Sequence, residues 1–261
     1  MTRFCSLFSG SGGNCTYIGT KNGSILVDVG VSAKKITAAM ASNNIETSEI
    51  KAIFITHEHS DHIAGLKTIS KNWGVPIFCS SETALNLVSN DKVHENATIN
   101  IIDKNLSLDF FKITRFSTPH DCCGSSGYVI ETESGTKCAV CTDLGTVTEE
   151  IRCCISGCDI VMLESNHDVM MLQNGSYPYP LKRRILSDTG HLSNASCSNE
   201  LPYLVKSGAT RLILSHLSRE NNHPAIVSAT ARATLIDNKM IEDKDYILQI
   251  APPYGGRMIS Y

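Results

Sequence analysis

Short β-branched runs alternate with amphipathic stretches along most of the chain. Apolar runs bounded by turn residues predict strands at residues 24–29, 52–56, 76–79, 108–116, 127–132, 137–142, 159–164, 211–215 and 246–250. Helical spacing of the apolar positions predicts helices at 32–42, 62–71, 82–89, 146–156, 194–206 and 224–237, with Ser32 and Asp61 as capping residues. No linker-like composition, internal period or low-complexity tract interrupts this alternation, so one α/β domain over residues 1–261 is expected.

Several predicted strands run directly into titratable residues. Ile53-Phe54-Ile55-Thr56 leads into His57, Ala139-Val140-Cys141-Thr142 into Asp143, and Leu212-Ile213-Leu214-Ser215 into His216. Chemistry gathered at strand ends is what an α/β scaffold with its site along one sheet edge produces.

Composition narrows the classes. The 261 residues are 42% hydrophobic and 19% charged, with a net charge of −3, which excludes wholesale disorder and fibrous architecture. No run of about 18 apolar residues is present for a membrane span, and the glycine-broken opening Met1 to Thr20 does not read as a signal peptide. A cytoplasmic protein is expected. The 11 cysteines are odd in number and lie within apolar runs, as buried thiols do. The spacing of Cys138 and Cys141 matches half a zinc site, but strand alternation points the two thiols to opposite faces, and core packing is the better reading.

The strongest chemical signal is His57-Glu58-His59-Ser60-Asp61-His62. Three imidazoles and a carboxylate crowded behind an apolar strand are mutually costly unless they share a cation. Such donors suit Zn, Mn or Fe. One short loop cannot complete the coordination, so later strand ends must contribute, and His120, Asp143 and His216 are the best candidates.

The order of these elements resembles the metallo-β-lactamase fold, an αββα sandwich. The resemblance implies two divalent metal ions, one held by His57, His59 and His120 and the other by Asp61, His62 and His216, with Asp143 bridging them. Such a pair can hold a hydroxide and clamp the attacking and leaving oxygens of a displacement. Asp28, after Ile25-Leu26-Val27, resembles the family's aspartate that orients the histidine loop.

The fold hosts several hydrolytic reactions, so the reaction must be read from other residues. Glu164 and His191 resemble the glutamate–histidine dyad of the tRNA-processing ribonuclease Z group and related phosphodiesterases, where the histidine contacts a phosphoryl oxygen or protonates the leaving alkoxide. The strings Phe8 to Asn14, Glu164 to Asp168, Tyr177 to Arg184, Gly190 to Asn194 and Ser215 to Asn222 resemble the YycJ/WalJ-like branch of metal-dependent DNA exonucleases. The resemblance implies a nucleic-acid substrate, DNA, cut 5′ to 3′, with Asp61, Glu164 and His191 in the catalytic machinery.

Candidate substrate contacts are Tyr177 and Tyr179 for base stacking, Lys182, Arg184 and Arg219 for phosphates, and Asn194. Gly10 to Gly13 has no following lysine and is not a phosphate-binding P-loop. His167 is either substrate-facing or a partner of Asp168. Rival readings are a hydrolase of small or cyclic phosphodiesters and a non-enzymatic, metal-loaded regulatory protein. Two divalent cations would carry the net charge from −3 to about +1 and concentrate the positive field at the site, which predicts a shallow salt dependence of substrate binding.

Overall fold

The computed structural model describes residues 1–261. Two seven-stranded sheets face one another. The first contains β1 (Arg3–Phe8), β2 (Cys15–Gly19), β3 (Ser24–Val27), β4 (Ile50–Phe54), β5 (Ile77–Cys79) and β6 (Ile99–Ile101) in sequential order. The second contains β7 (Asn105–Leu108), β8 (Phe111–Ser117), β9 (Ser126–Thr132), β10 (Lys137–Cys141), β11 (Ile160–Glu164), β12 (Arg211–Ser215) and β13 (Ile247–Ile250). The chain then returns to the first sheet, where β14 (Ile259–Ser260) pairs antiparallel with β1. Strands β3 to β6 are mutually parallel, as are β10 to β13.

Helices cover the outer faces: α1 (Ala33–Ser42), α2 (Ser60–Ile63), α3 (Leu66–Asn72) and α4 (Ser81–Ser89) follow strands of the first sheet. The second sheet is followed by α5 (Glu149–Ile155), α6 (Val169–Asn174), α7 (Tyr179–Ile185), α8 (Asn194–Lys206) and α9 (Pro224–Asp237). This is the expected αββα sandwich. No helix is long and apolar enough to cross a membrane.

Strand alternation divides the interior into three apolar clusters. Val27, Phe54, Tyr128, Cys138, Val140 and Met162 fill the space between the sheets. Leu26, Ile53 and Ile55 face the helices of the first layer, and Ala139, Cys141, Val161 and Leu163 face those of the second. Cys138 and Cys141 therefore occupy different clusters, as alternation requires.

The layers are joined by more than apolar contact. The Tyr128 hydroxyl donates to the Ile55 carbonyl at 2.7 Å, and its ring packs edge-on to Phe54 at 5.4 Å. A residue of the second sheet thus fixes the backbone that leads into His57.

The structure corrects several boundaries. The predicted strand 108–116 is a hairpin, with Leu108 paired to Phe111 across the turn. The predicted helix 62–71 breaks at Gly65, whose N–H bonds to the Val29 carbonyl and where an added Cβ would lie 2.4 Å from the Val31 carbonyl oxygen. Asp61 is not a capping residue; His59 occupies the N-cap of α2, and Asp61 lies in its first turn. Ser32 holds the N-cap position of α1 without a side-chain hydrogen bond. β1, β2, α6 and α7 were not anticipated, because continuous apolar runs and glycine-rich turns give no clean period.

Tyr128→Phe removes the hydroxyl and leaves the buried Ile55 carbonyl without that partner. A loss of about 1–2 kcal/mol is expected, which thermal melts would register as a fall in Tm of a few degrees. An unchanged Tm would show that the bond contributes nothing to joining the layers.

A candidate metal centre

The site lies at the carboxyl ends of the parallel strands, where the two sheets converge. Three of its residues leave their strands in the left-handed region: Asp28 after β3 (φ 61°), Asp143 after β10 (φ 57°) and His216 after β12 (φ 56°). Asp and His tolerate this region better than most side chains, and the turn swings each off the sheet plane.

Four of the five metal-facing imidazoles, those of His57, His62, His120 and His216, present Nε2 to the centre and are held through Nδ1. His57 Nδ1 lies 3.0 Å from Thr56 Oγ1, and the Thr56 hydroxyl donates to Asp28 Oδ2 at 2.8 Å. His62 Nδ1 donates to the same Asp28 oxygen at 2.8 Å. His120 Nδ1 donates to the Gly190 carbonyl at 3.1 Å, and His216 Nδ1 donates to Glu164 Oε1 at 2.7 Å. These bonds fix the tautomers and turn Nε2 of each ring toward the centre.

The free atoms fall into two adjoining groups. His59 Nδ1 lies 3.0 Å from His57 Nε2 and 3.3 Å from His120 Nε2. Asp61 Oδ2 lies 3.6 Å from both His62 Nε2 and His216 Nε2. Asp143 faces both groups, with Oδ2 3.2 Å from His62 Nε2 and Oδ1 3.6 Å from His216 Nε2 and 3.8 Å from His120 Nε2.

Burial makes the arrangement demanding. His57, His62, Asp143 and His216 are buried, and Asp143 Oδ2 and His216 Nε2 have no hydrogen-bond partner. Such orphaned atoms, aimed at a common centre, fit a divalent cation of the kind imidazole and carboxylate donors prefer. Burial pushes the His57 imidazole well below its usual range. It acts in the same direction on His62 and His216, but the surrounding carboxylates together outweigh it, Asp143 with Asp28 for His62 and Asp143 with Asp61 and Glu164 for His216, and both rise well above that range. The carboxylates thus call for positive charge at the centre.

Glu164 is fully buried and accepts four hydrogen bonds. Oε1 receives His191 Nδ1 at 2.8 Å as well as His216 Nδ1, and Oε2 receives the Leu144 and Leu192 amides at 3.1 Å each. Burial alone would raise its pKa, but the His191 and His216 imidazoles hold it below the usual carboxylate range. One carboxylate therefore links a metal-facing histidine to His191, whose side chain is 17% exposed. Burial pushes the His191 pKa down, but Glu164 and, beyond it, Asp143 together raise it above the usual imidazole range.

A cleft of about 310 Å³ opens over this centre, lined by His59, Asp61, Asp143, His191 and His216, with Tyr177, Leu181, Arg184 and Ile185 as one wall. Arg184 Nε pairs with Asp121, next to His120.

The other proposed substrate contacts do not reach the cleft. Asn194 is buried, accepts from Ser165 Oγ at 2.8 Å and donates to Asn222 at 2.9 Å, so it clamps a turn instead of meeting substrate. Lys182 Nζ is taken up by the Gln173 and Gly175 carbonyls. Tyr179 is 72% exposed, away from the cleft, and Arg219 lines a neighbouring groove. Neither reading of His167 holds: its ring is buried without a hydrogen-bond partner, and Asp168 caps α6 by accepting from the Met171 amide.

Sequence reasoning missed three supports. The Asn14 amide lies 3.0 Å from His62 Nε2, Ser9 Oγ accepts from the His216 amide at 2.8 Å, and Asn166 Nδ2 donates to the His216 carbonyl at 2.9 Å. The polar, glycine-rich string Phe8 to Asn14 was the available signal.

With this geometry in place, the chain can be compared with known proteins. Residues 24–217 match the family model described as a β-lactamase superfamily domain. The chain is a member of the metallo-β-lactamase superfamily, in the branch that includes YycJ and WalJ, and is a metal-dependent hydrolase. It is 33% identical over 222 residues to a Bacillus anthracis protein named exodeoxyribonuclease YycJ, covering 84% of this chain and 83% of that protein. It is also 33% identical over 246 residues to exodeoxyribonuclease WalJ of Streptococcus pneumoniae, covering 89% and 90%. Among solved structures, Bacillus subtilis YhfI superposes with a TM-score of 0.71 at 16% identity, over 99% of this chain and 98% of that one. The short form of human tRNase Z does so at 0.64 and 16%, over 100% and 99%. At such identities these two structures speak for the fold alone.

Asp28→Asn keeps the left-handed turn but removes the charge that holds His62 and Thr56. Metal affinity is expected to fall about tenfold, measured by titration against a competing chelator, with the fold retained. Equal affinity would reduce Asp28 to a turn residue.

Proposed function

We propose that the protein is a phosphodiesterase that degrades DNA from an end, 5′ to 3′, with two divalent metal ions in the site. The observation that carries this reading is the Glu164–His191 pair at the edge of the donor cluster, its bond 2.8 Å long. The relatives named exodeoxyribonuclease support it, since their matches span most of both chains. A cytoplasmic setting is part of the proposal and agrees with thiols such as Cys138 and Cys141 buried in apolar clusters.

His57, His59 and His120 would hold one ion, Asp61, His62 and His216 the second, and Asp143 both. Zn, Mn and Fe suit these donors. Bound there, the cations would supply an activated water and offset the negative charge developing on the phosphoryl oxygens.

The chain's own groups perform the remaining tasks. Glu164 holds His191 by Nδ1, so Nε2 is the atom available to give a proton to the departing oxygen or to bond a phosphoryl oxygen. Asp61 holds its carboxylate against His62 and His216. Tyr177 offers a ring at the cleft wall and Arg184 a guanidinium, the latter already balanced by Asp121.

The test is degradation of end-labelled DNA by purified protein with Mn or Zn. Asp143→Ala is expected to abolish activity, and His191→Ala to lower kcat by about 10²–10⁴ with metal content retained. No degradation by the parent, or an Asp143→Ala variant equal to it, would refute the nuclease reading. A chromogenic small phosphodiester should be a poorer substrate than an oligonucleotide, because remote binding contributes to the rate. The reverse preference would favour a small-phosphodiester hydrolase.

A further inference from the structure

Beside the metal cleft runs a second groove of about 430 Å³, with walls that include Leu217, Arg219, Pro224, Pro252 and Pro253. Ser218 lines both the cleft and the groove, so the two adjoin at that residue. The groove is mostly apolar, and Arg219 stands exposed at its wall without an ion pair or a side-chain hydrogen bond.

The turn that carries Arg219 is held from beneath. The Ser218 amide donates to the Asn166 carbonyl at 2.8 Å, and the Asn221 amide donates to Ser218 Oγ at 3.1 Å. Asn222 Nδ2 reaches the Ser165 and Asn166 carbonyls at 2.9 and 2.8 Å. Ser218 and Asn222 are spent on fixing the backbone. Arg219 and Glu220 stand exposed on the turn.

The guanidinium has a seat. It lies across Gly12 in the glycine loop, whose neighbour Ser11 lines the metal cleft. An added Cβ at Gly12 would come within 2.1 Å of an Arg219 guanidinium nitrogen, and its three nearest atoms all belong to Arg219. The backbone at Gly12 is not in the left-handed region that demands glycine, unlike Gly10 and Gly13. A larger residue here would have to displace the guanidinium from this position.

We propose that Arg219, seated on Gly12 between the metal cleft and the proline-walled groove, binds the phosphate adjoining the scissile one, while the groove receives that nucleotide's base. The proposal rests on the nuclease reading above, and its occupant is the single DNA strand already engaged at the cleft. A guanidinium supplies paired donors for phosphate oxygens, and the apolar wall accepts the flat face of a base without regard to sequence.

The test measures binding of a fluorescent single-stranded phosphorothioate oligodeoxynucleotide to the metal-loaded full chain across a salt series. Arg219→Ala is expected to raise Kd about fivefold and to flatten the slope of log K against log salt by about 0.7, the release accompanying one single-strand phosphate. Gly12→Ala should reproduce much of this by displacing the guanidinium, and should add nothing in the Arg219→Ala background. Parent Kd and slope in Arg219→Ala, or additive effects of the two changes, would overturn the proposal. If the parent cleaves DNA and Arg219→Ala binds like it, this subsite fails while the nuclease reading stands. If the variants bind more weakly but the parent cleaves no DNA, the nuclease reading fails instead. A parent that neither binds nor cleaves overturns both.

Discussion

Buried imidazoles and carboxylates at the seam of two sheets need positive charge at their centre, and most of the structure around the site follows from that requirement. Asp143 and His216 keep orphaned atoms directed inward, and Asp28 and Glu164 each hold the outer nitrogen of a metal-facing ring with one oxygen. An uncompensated group of this kind would cost several kcal/mol. The donors are therefore useful only if the scaffold holds them close enough to share a cation.

The scaffold does so by backbone contact. An added Cβ at Gly30 would lie 1.7 Å from the Asp61 carbonyl oxygen, and the Asn14 amide donates to that same carbonyl at 2.8 Å. The first hairpin, the turn after β3 and the histidine loop are thereby pressed together. In the second layer, Glu164 couples two functions in one side chain, orienting His216 toward the metal position and His191 toward the cleft. Altering its charge would disturb the placement of both imidazoles at once.

The histidine motif and the strand-end residues were legible in sequence because their chemistry is dense and local. Three imidazoles within six residues behind an apolar strand admit few readings, and Asp143 and His216 stand where apolar runs end. The substrate contacts were less legible. Lys182 and Asn194 have suitable chemistry, but the carbonyls of Gln173 and Gly175 claim one and Asn222 claims the other. Sequence shows what a side chain offers and is silent on which neighbour takes it.

The sequence by itself determined the alternation of elements, the separation of Cys138 from Cys141, and the set of donors available for a metal, since each depends on local period or residue type. Tertiary structure alone decided how those donors are shared. It placed Asp28 against His62 in the first layer and Glu164 against His216 in the second, assigned Glu164 to two histidines, and laid Arg219 over Gly12. These are contacts between positions far apart in the chain, set by which strand ends and loops the fold brings side by side. No periodicity along the sequence encodes them.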